Sequence, residues 1–199
     1  MELDESAKLR KVREELIGHA KAHELYKNVA DTNGNIVFGR GSDTAKVLFI
    51  GEAPGFSENR EGRPFVGRSG KLLEEWVKEL GLGKGDYAIM NVVPIIPLQD
   101  GKIRPPTPKE IEYFLPYTRK MIEAIAPEVI VPLGRSAASI FSKSLKAGEV
   151  KDYPKYKLFF IYHPAYYLRN GRKGFEDLEN LKRVLAEDKG KKQATLSSF

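Results

Sequence analysis

The apolar positions of the chain recur in two rhythms. Leu9, Val12, Leu16 and Ile17 follow helical spacing within the charged stretch 5–27, which predicts an amphipathic first helix. Residues 31–42, rich in Gly, Asn and Asp, read as turns around a short strand at 36–38. Four short apolar runs follow, at 46–50, 87–93, 128–133 and 157–162, each of the length and continuity of a strand buried on both faces. A helix capped by Ser69 carries Leu72, Leu73, Trp76, Val77 and Leu80 on one face and stops at Gly81. After a Pro-rich loop at 94–108, Thr107 and Pro108 have the order of an N-cap and first helical residue; the helix should run to about residue 126, with a kink at Pro116. A short helix at 135–142 and an amphipathic one at 174–187, with Leu178, Leu181 and Leu185 on one side, complete the pattern. Strands alternating with helices predict an α/β fold: a three-layer αβα sandwich around a central four-stranded parallel sheet. One domain is expected over 1–187, followed by a polar tail at 188–199.

Composition narrows the chemistry. The 199 residues contain no cysteine, which excludes disulfides, thiolate nucleophiles and thiolate metal sites. Three histidines (His19, His23, His163) do not suggest a metal centre, and none is expected. The Lys/Glu richness and missing cysteine fit a thermophile. No apolar run is long enough to span a bilayer, and the start, Met1-Glu-Leu-Asp-Glu, is acidic, unlike a secretory signal. An intracellular monomer with no membrane partner is expected. The net charge of +6 suits a polyanionic partner.

The ends of the apolar runs carry the unusual residues. Gly51-Glu-Ala-Pro-Gly55 and Gly62-Arg-Pro-Phe-Val-Gly67 follow the first, Asn91 closes the second, Gly134-Arg-Ser136 follows the third and His163-Pro-Ala-Tyr the fourth. Each is ordinary alone. Ligands of open parallel sheets bind beyond the carboxyl ends of the strands, so these loops should meet in one cleft. It would hold a carboxylate, an aromatic ring, a carboxamide and an imidazole: a set suited to a planar amide-bearing ring and to anion stabilisation, without a nucleophile–base pair.

In order and spacing, Gly51-Glu-Ala-Pro-Gly55, Arg63-Pro-Phe-Val-Gly67, Asn91-Val-Val and His163-Pro-Ala-Tyr resemble the motifs of the uracil-DNA glycosylase superfamily, most closely its family 4, over roughly residues 10–185. That resemblance implies an enzyme that flips uracil out of DNA and hydrolyses its N-glycosidic bond, beginning base excision repair. Hypoxanthine or xanthine are further substrates to consider. It assigns Gly51, Ala53, Phe65 and Asn91 to the base, His163 to the leaving oxygen, and Glu52 or Glu58 to the attacking water. Gly67, Ser69, Gly70, Gly134, Arg135 and Ser136 would take phosphates. Tyr166, Tyr167, Leu168 and Arg169 would enter the minor groove, with Tyr167, then Leu168, where relatives place a leucine wedge. Family 4 holds a four-iron cluster through four cysteines; the corresponding positions here are Ala20, His23, Ile95 and Phe114. A cluster of that kind needs thiolates, so no iron–sulfur cofactor is expected.

Two rival readings remain: a non-catalytic module binding deaminated bases on the same fold, and an enzyme of free nucleosides. Retention of both Glu52 and His163 favours a glycosylase over the first, and the basic balance favours DNA over the second. Finally, Gln193, Leu196 and Phe199 have the spacing of the peptide box by which repair enzymes bind the sliding clamp.

Overall fold

Alternate side chains of the central strands enter two different cores, and this division organises the molecule. The computed structural model describes residues 6–142 and 144–186. Its main sheet contains β1 (Arg40–Gly41), β2 (Val47–Gly51), β3 (Tyr87–Asn91), β6 (Val129–Pro132), β7 (Val150–Asp152) and β8 (Lys157–Phe159) in the order β1-β3-β2-β6-β8-β7. β4 (Leu98–Gln99) and β5 (Lys102–Ile103) form a separate hairpin. The four inner strands run parallel, as expected, while β1 and β7 add antiparallel edges. Leu48, Ile50, Met90 and Ile130 face one core; Val47, Phe49, Ile89 and Val131 face the other. A strand's period of two accounts for the split.

Helices close both faces. On one lie α1 (Ala7–Lys21) and α5 (Pro108–Ile125), with α2 (Tyr26–Asp31) beyond α1. On the other lie α4 (Arg68–Glu79), α7 (Pro164–Arg169) and a 3-10 turn (Phe175–Leu178) that continues as helix over 179–186. α4 buries Leu72, Leu73, Trp76 and Val77, the predicted stripe. α5 begins at the expected Thr107 cap: the Thr107 hydroxyl accepts from Glu110 N–H and the Glu110 carboxylate from Thr107 N–H, satisfying two donors that a helix start leaves orphaned. It runs on through Pro116.

Several local expectations are corrected. Residues 36–38 are not a strand; Val37 N–H donates instead to Pro94 O (2.7 Å). The first helix ends at Lys21, and α2 follows after a turn. Gly67, not Ser69, is the N-cap of α4. The loop after β2 contains α3 (Phe56–Glu61), and the Pro-rich loop contains the β4–β5 hairpin. A short helix, α6 (Arg135–Ser139), follows β6.

In register, Gly51 is opposite Asn91 and Ile50 opposite Pro132, while Leu133 bridges to Ile161. The carboxyl ends of all four parallel strands therefore reach one edge together. The chain leaves β2 for β3 on one side and returns to β6 on the other, so the order reverses at β2, the position where such sheets open a crevice. Among the described residues, no helix is long and apolar enough to cross a membrane.

Candidate active site

The crevice at that edge is an open cleft of about 570 Å³. The loops after all four parallel strands frame it: Glu52, Ala53 and Phe65 from β2, Asn91 from β3, and His163 from β8 line it directly. Ser136, after β6, reaches it through Glu52, donating its hydroxyl to Oε1 (2.7 Å).

Gly51 makes this convergence possible. A Cβ there would collide with Asn91 Oδ1 and lie 2.5 Å from the Phe65 ring. Its missing side chain thus lets the carboxamide and the ring approach the strand end. Phe65 is held in a left-handed backbone conformation (φ 54°), which costs a non-glycine residue on the order of 1 kcal/mol or more. Three features maintain it. Arg40 Nε donates to Pro64 O (2.9 Å) and its Nη2 to Phe65 O (3.5 Å), and the same guanidinium pairs with Glu74 (2.5 Å). Gly70 leaves the space that the Phe65 carbonyl occupies. Glu58 accepts from the backbone N–H groups of Val66 (3.0 Å), Gly67 (2.8 Å) and Gly55 (3.1 Å).

Glu58, which also lines the cleft, acts as a brace: its two oxygens tie the loop after β2 to the start of α4. Glu52 is the second carboxylate at the cleft, held by the Ser136 hydroxyl. Asn91 is 7 % exposed and its Oδ1 has no hydrogen-bond partner. A buried acceptor without a partner carries a desolvation cost of about 1–3 kcal/mol, and here it borders the cleft.

His163 caps α7 with its own ring: Nδ1 accepts from Ala165 N–H (3.2 Å), so the remaining proton of the neutral imidazole sits on Nε2. Burial, then the Arg169 charge, lowers its pKa to about 4, against a smaller upward pull from Glu58. The ring is neutral at pH 7. It lies 5.5 Å from the Phe65 ring, centroid to centroid, tilted by 34°. Gly134, with φ 88°, lies against His163.

Of the residues expected to contact phosphate, Gly67 and Ser69 line the cleft at the start of α4 and Arg135 is exposed. Tyr166 and Arg169 face outward, and Leu168 is half-buried. Tyr167 is a correction. It is fully buried, edge-on to Trp76 (5.4 Å), with its hydroxyl donating to Asp177 (2.7 Å) and its pKa raised by burial and by that carboxylate. A residue so anchored is no wedge. The helical turn of α7 directs Tyr167 into the core and Tyr166 outward.

Sequence reasoning missed one wall. Phe56, Ile103, Arg104, Pro105 and Pro106 line the cleft; an isolated isoleucine between Lys102 and Arg104 in a turn-rich loop was the available signal. Among the described residues, no group of three or more His, Cys, Asp or Glu could hold a metal ion. Ala20, Ile95 and Phe114 are fully buried hydrocarbon without a ligating atom, and His23 Nδ1 accepts from Leu25 N–H (3.1 Å). These residues do not fit a four-iron cluster. Gln193, Leu196 and Phe199 lie outside the described residues.

A parallel α/β sheet with a buried carboxamide, an aromatic ring and a neutral imidazole at its switch point defines a class of proteins that receive a planar base in a cleft. The particular family follows from comparison: residues 38–187 match the uracil DNA glycosylase superfamily, and the chain belongs to it. It is 39% identical over 181 residues to the Type-4 uracil-DNA glycosylase of Archaeoglobus fulgidus, covering 84% of this chain and 89% of that one. It is 40% identical over 194 residues to the Type-4 enzyme of Sulfurisphaera tokodaii (90% and 81% covered). With the Thermotoga maritima Type-4 enzyme it shares 37% over 161 residues (77% and 79% covered).

Proposed function

We propose that this protein is a DNA glycosylase that flips uracil out of DNA and hydrolyses its N-glycosidic bond, without a metal or an iron–sulfur cluster. The observation that carries the reading is the buried, partnerless Asn91 Oδ1 beside the Phe65 ring. It is an acceptor awaiting a donor, and uracil N3–H supplies one while its O4 takes the Asn91 amide. Cytosine reverses that pattern and would leave buried groups unpaired, at about 1–3 kcal/mol each. Phe65 stacks on the extruded ring, an interaction worth roughly 1–3 kcal/mol. As the bond breaks, negative charge grows on uracil O2, and His163 Nε2–H donates to it from a neutral ring, in the manner of an oxyanion-hole donor. Glu52, oriented by the Ser136 hydroxyl, positions water on the other side of the sugar or offsets its positive charge. Phosphates flanking the flipped nucleotide meet backbone amides at Gly67–Gly70 and Gly134–Ser136 together with Arg135 and Arg169, and Tyr166 and Leu168 take the minor groove. The protein acts as a monomer on DNA inside the cell.

The test incubates the protein, in a chelator, with a uracil-containing duplex and separately with deoxyuridine. Free uracil and abasic sites from the duplex alone are expected, with release slowed by two to three powers of ten in His163→Ala. Binding without release would establish the non-catalytic module, and cleavage of deoxyuridine alone the nucleoside enzyme. Gln193, Leu196 and Phe199 supply the spacing for docking on a sliding clamp, which would raise the local enzyme concentration on replicated DNA. Calorimetry of a peptide spanning 188–199 against the clamp should detect binding that Phe199→Ala abolishes; no heat at high micromolar concentration removes that partner.

A further inference from the structure

Three large apolar side chains are exposed among the described residues: Phe56 (51 %), Ile103 (47 %) and Tyr166 (38 %). Apolar residues scattered singly over a surface are ordinary, but these are not scattered. Phe56 and Ile103 both line the cleft, and Tyr166 follows Ala165, which lines it too. They come from three separate elements, α3, β5 and α7, so no single amphipathic face explains them.

Phe56 and Ile103 occupy neighbouring lips. Ile103 Cδ1 lies 3.9 Å from where a Cβ on Gly55, the residue before Phe56, would stand. Both lips are anchored. Ile103 pairs with Leu98 across the hairpin, and Arg104 N–H donates to Pro97 O (3.1 Å). The Arg104 guanidinium grips the buried Glu110 carboxylate with two hydrogen bonds (2.8 and 2.6 Å); burial pushes that carboxyl up, but these bonds, the Thr107 hydrogen bonds and the Arg104 charge together hold it below its usual range. Phe56 opens α3, whose cap amide on Gly55 is tied to Glu58. The two side chains are thus held at the entrance without being covered by the fold.

When a nucleotide leaves the stack, its neighbours lose an apolar partner on the face turned toward the gap, and the adjoining sugar is unprotected as well. We propose that Phe56 and Ile103 form an apolar jaw that packs against the nucleotide flanking the flipped uridine, opposite Tyr166, so that the gap is gripped from both sides. The inference rests on the glycosylase reading above, since it needs a flipped base in the cleft. Exposed base faces and sugars match such a jaw chemically, and the neighbouring Arg68, which also lines the cleft, suits the accompanying phosphates.

The experiment measures binding of the full chain to a duplex bearing a stable abasic analogue, so its result does not depend on whether uracil is released. Phe56→Ser and Ile103→Ser are each expected to weaken binding about tenfold, and the double variant by roughly 50-fold or more. The thermal midpoint should be unchanged, because both side chains are exposed. Where release is measurable, KM should carry the loss and the single-turnover rate at saturating enzyme should shift less than twofold. A double variant that binds the abasic duplex like wild type overturns the proposal and leaves the lip for some other partner. A loss confined to the single-turnover rate also overturns it, by assigning the residues to the chemical step. Absence of glycosylase activity in the wild-type protein sinks the function reading but leaves the jaw's binding result readable.

Discussion

Two regions of the molecule are built from the same kinds of side chain and differ in how completely those side chains are satisfied. In the seam between α1 and α5, His19 stacks on Tyr113 (3.9 Å, 13°), its Nε2 donates to Tyr113 O (3.0 Å), and the Tyr113 hydroxyl donates back to His19 O (3.1 Å). Ala20, Ile95 and Phe114 pack fully buried around that pair. In the cleft, Asn91 Oδ1 has no partner, Phe65 is held at positive φ, and His163 titrates far below its ordinary value. The seam's contacts hold the fold together, and the cleft's unmet demands anticipate a ligand. An imidazole or an aromatic ring does not by itself mark a site; an unmet demand within a rigid frame does.

The comparison breaks most visibly if the seam is hollowed. Phe114→Ala removes a fully buried ring, and a change of that kind costs about 3–5 kcal/mol, which for a chain of this size lowers the thermal midpoint by roughly 10 °C. Uracil release below that midpoint should change less than twofold. Asn91→Ala should do the reverse: a fall of about 100-fold in kcat/KM for uracil, with a midpoint equal to or above wild type, because no protein hydrogen bond is lost at Oδ1. A midpoint several degrees lower would mean that the carboxamide has a partner within the fold, and the contrast between the two regions would dissolve.

A smaller effect tests how the cleft keeps its strain. Arg40→Met removes the donors to Pro64 O and Phe65 O and leaves Glu74 with the Tyr87 hydroxyl (3.3 Å) but no cation. Activity is expected to fall about tenfold as Phe65 relaxes from its left-handed conformation. Because Arg40 acts through Phe65, combining it with Phe65→Leu should cost little more than Phe65→Leu alone; additive losses in that cycle would separate the two residues.

How far the sequence disclosed this arrangement depended on the physics behind each feature. The inner strands were legible because parallel strands buried on both faces must be continuous apolar runs. Glu52, Phe65, Asn91 and His163 were legible because successive strand ends must meet. β1 and β7 were not, since two or three residues at a sheet edge carry almost no hydrophobic pattern. Tyr167 was misread because its distance from His163 was counted along the chain, whereas one helical turn decides which tyrosine faces the core. Apart from the local Gly55–Glu58 bond, the brace at Glu58 and the clamp at Arg40 are contacts between segments, 8 to 34 residues apart, and only folding brings those partners together.

The smallest expected effect concerns protonation of His163. In the unfolded chain the ring takes a proton near pH 6.5, whereas in the folded protein burial and Arg169 delay this to about pH 4. Between those values the unfolded state binds more protons, so stability falls as pH falls through the window and the difference is constant below it. With the shift discounted because the ring is only partly buried, this amounts to on the order of 1 kcal/mol at pH 5 relative to pH 7. His163→Asn retains a side chain able to cap α7 but does not titrate. Urea midpoints for the two proteins should therefore diverge between pH 7 and pH 5, with the wild type losing more. The same neutral ring keeps its Nε2–H throughout this range, so uracil release should show no acid limb near pH 6.5. Parallel stability curves, or an acid limb at that pH, would mean that His163 titrates as if in water and that the cleft does not exclude solvent from it.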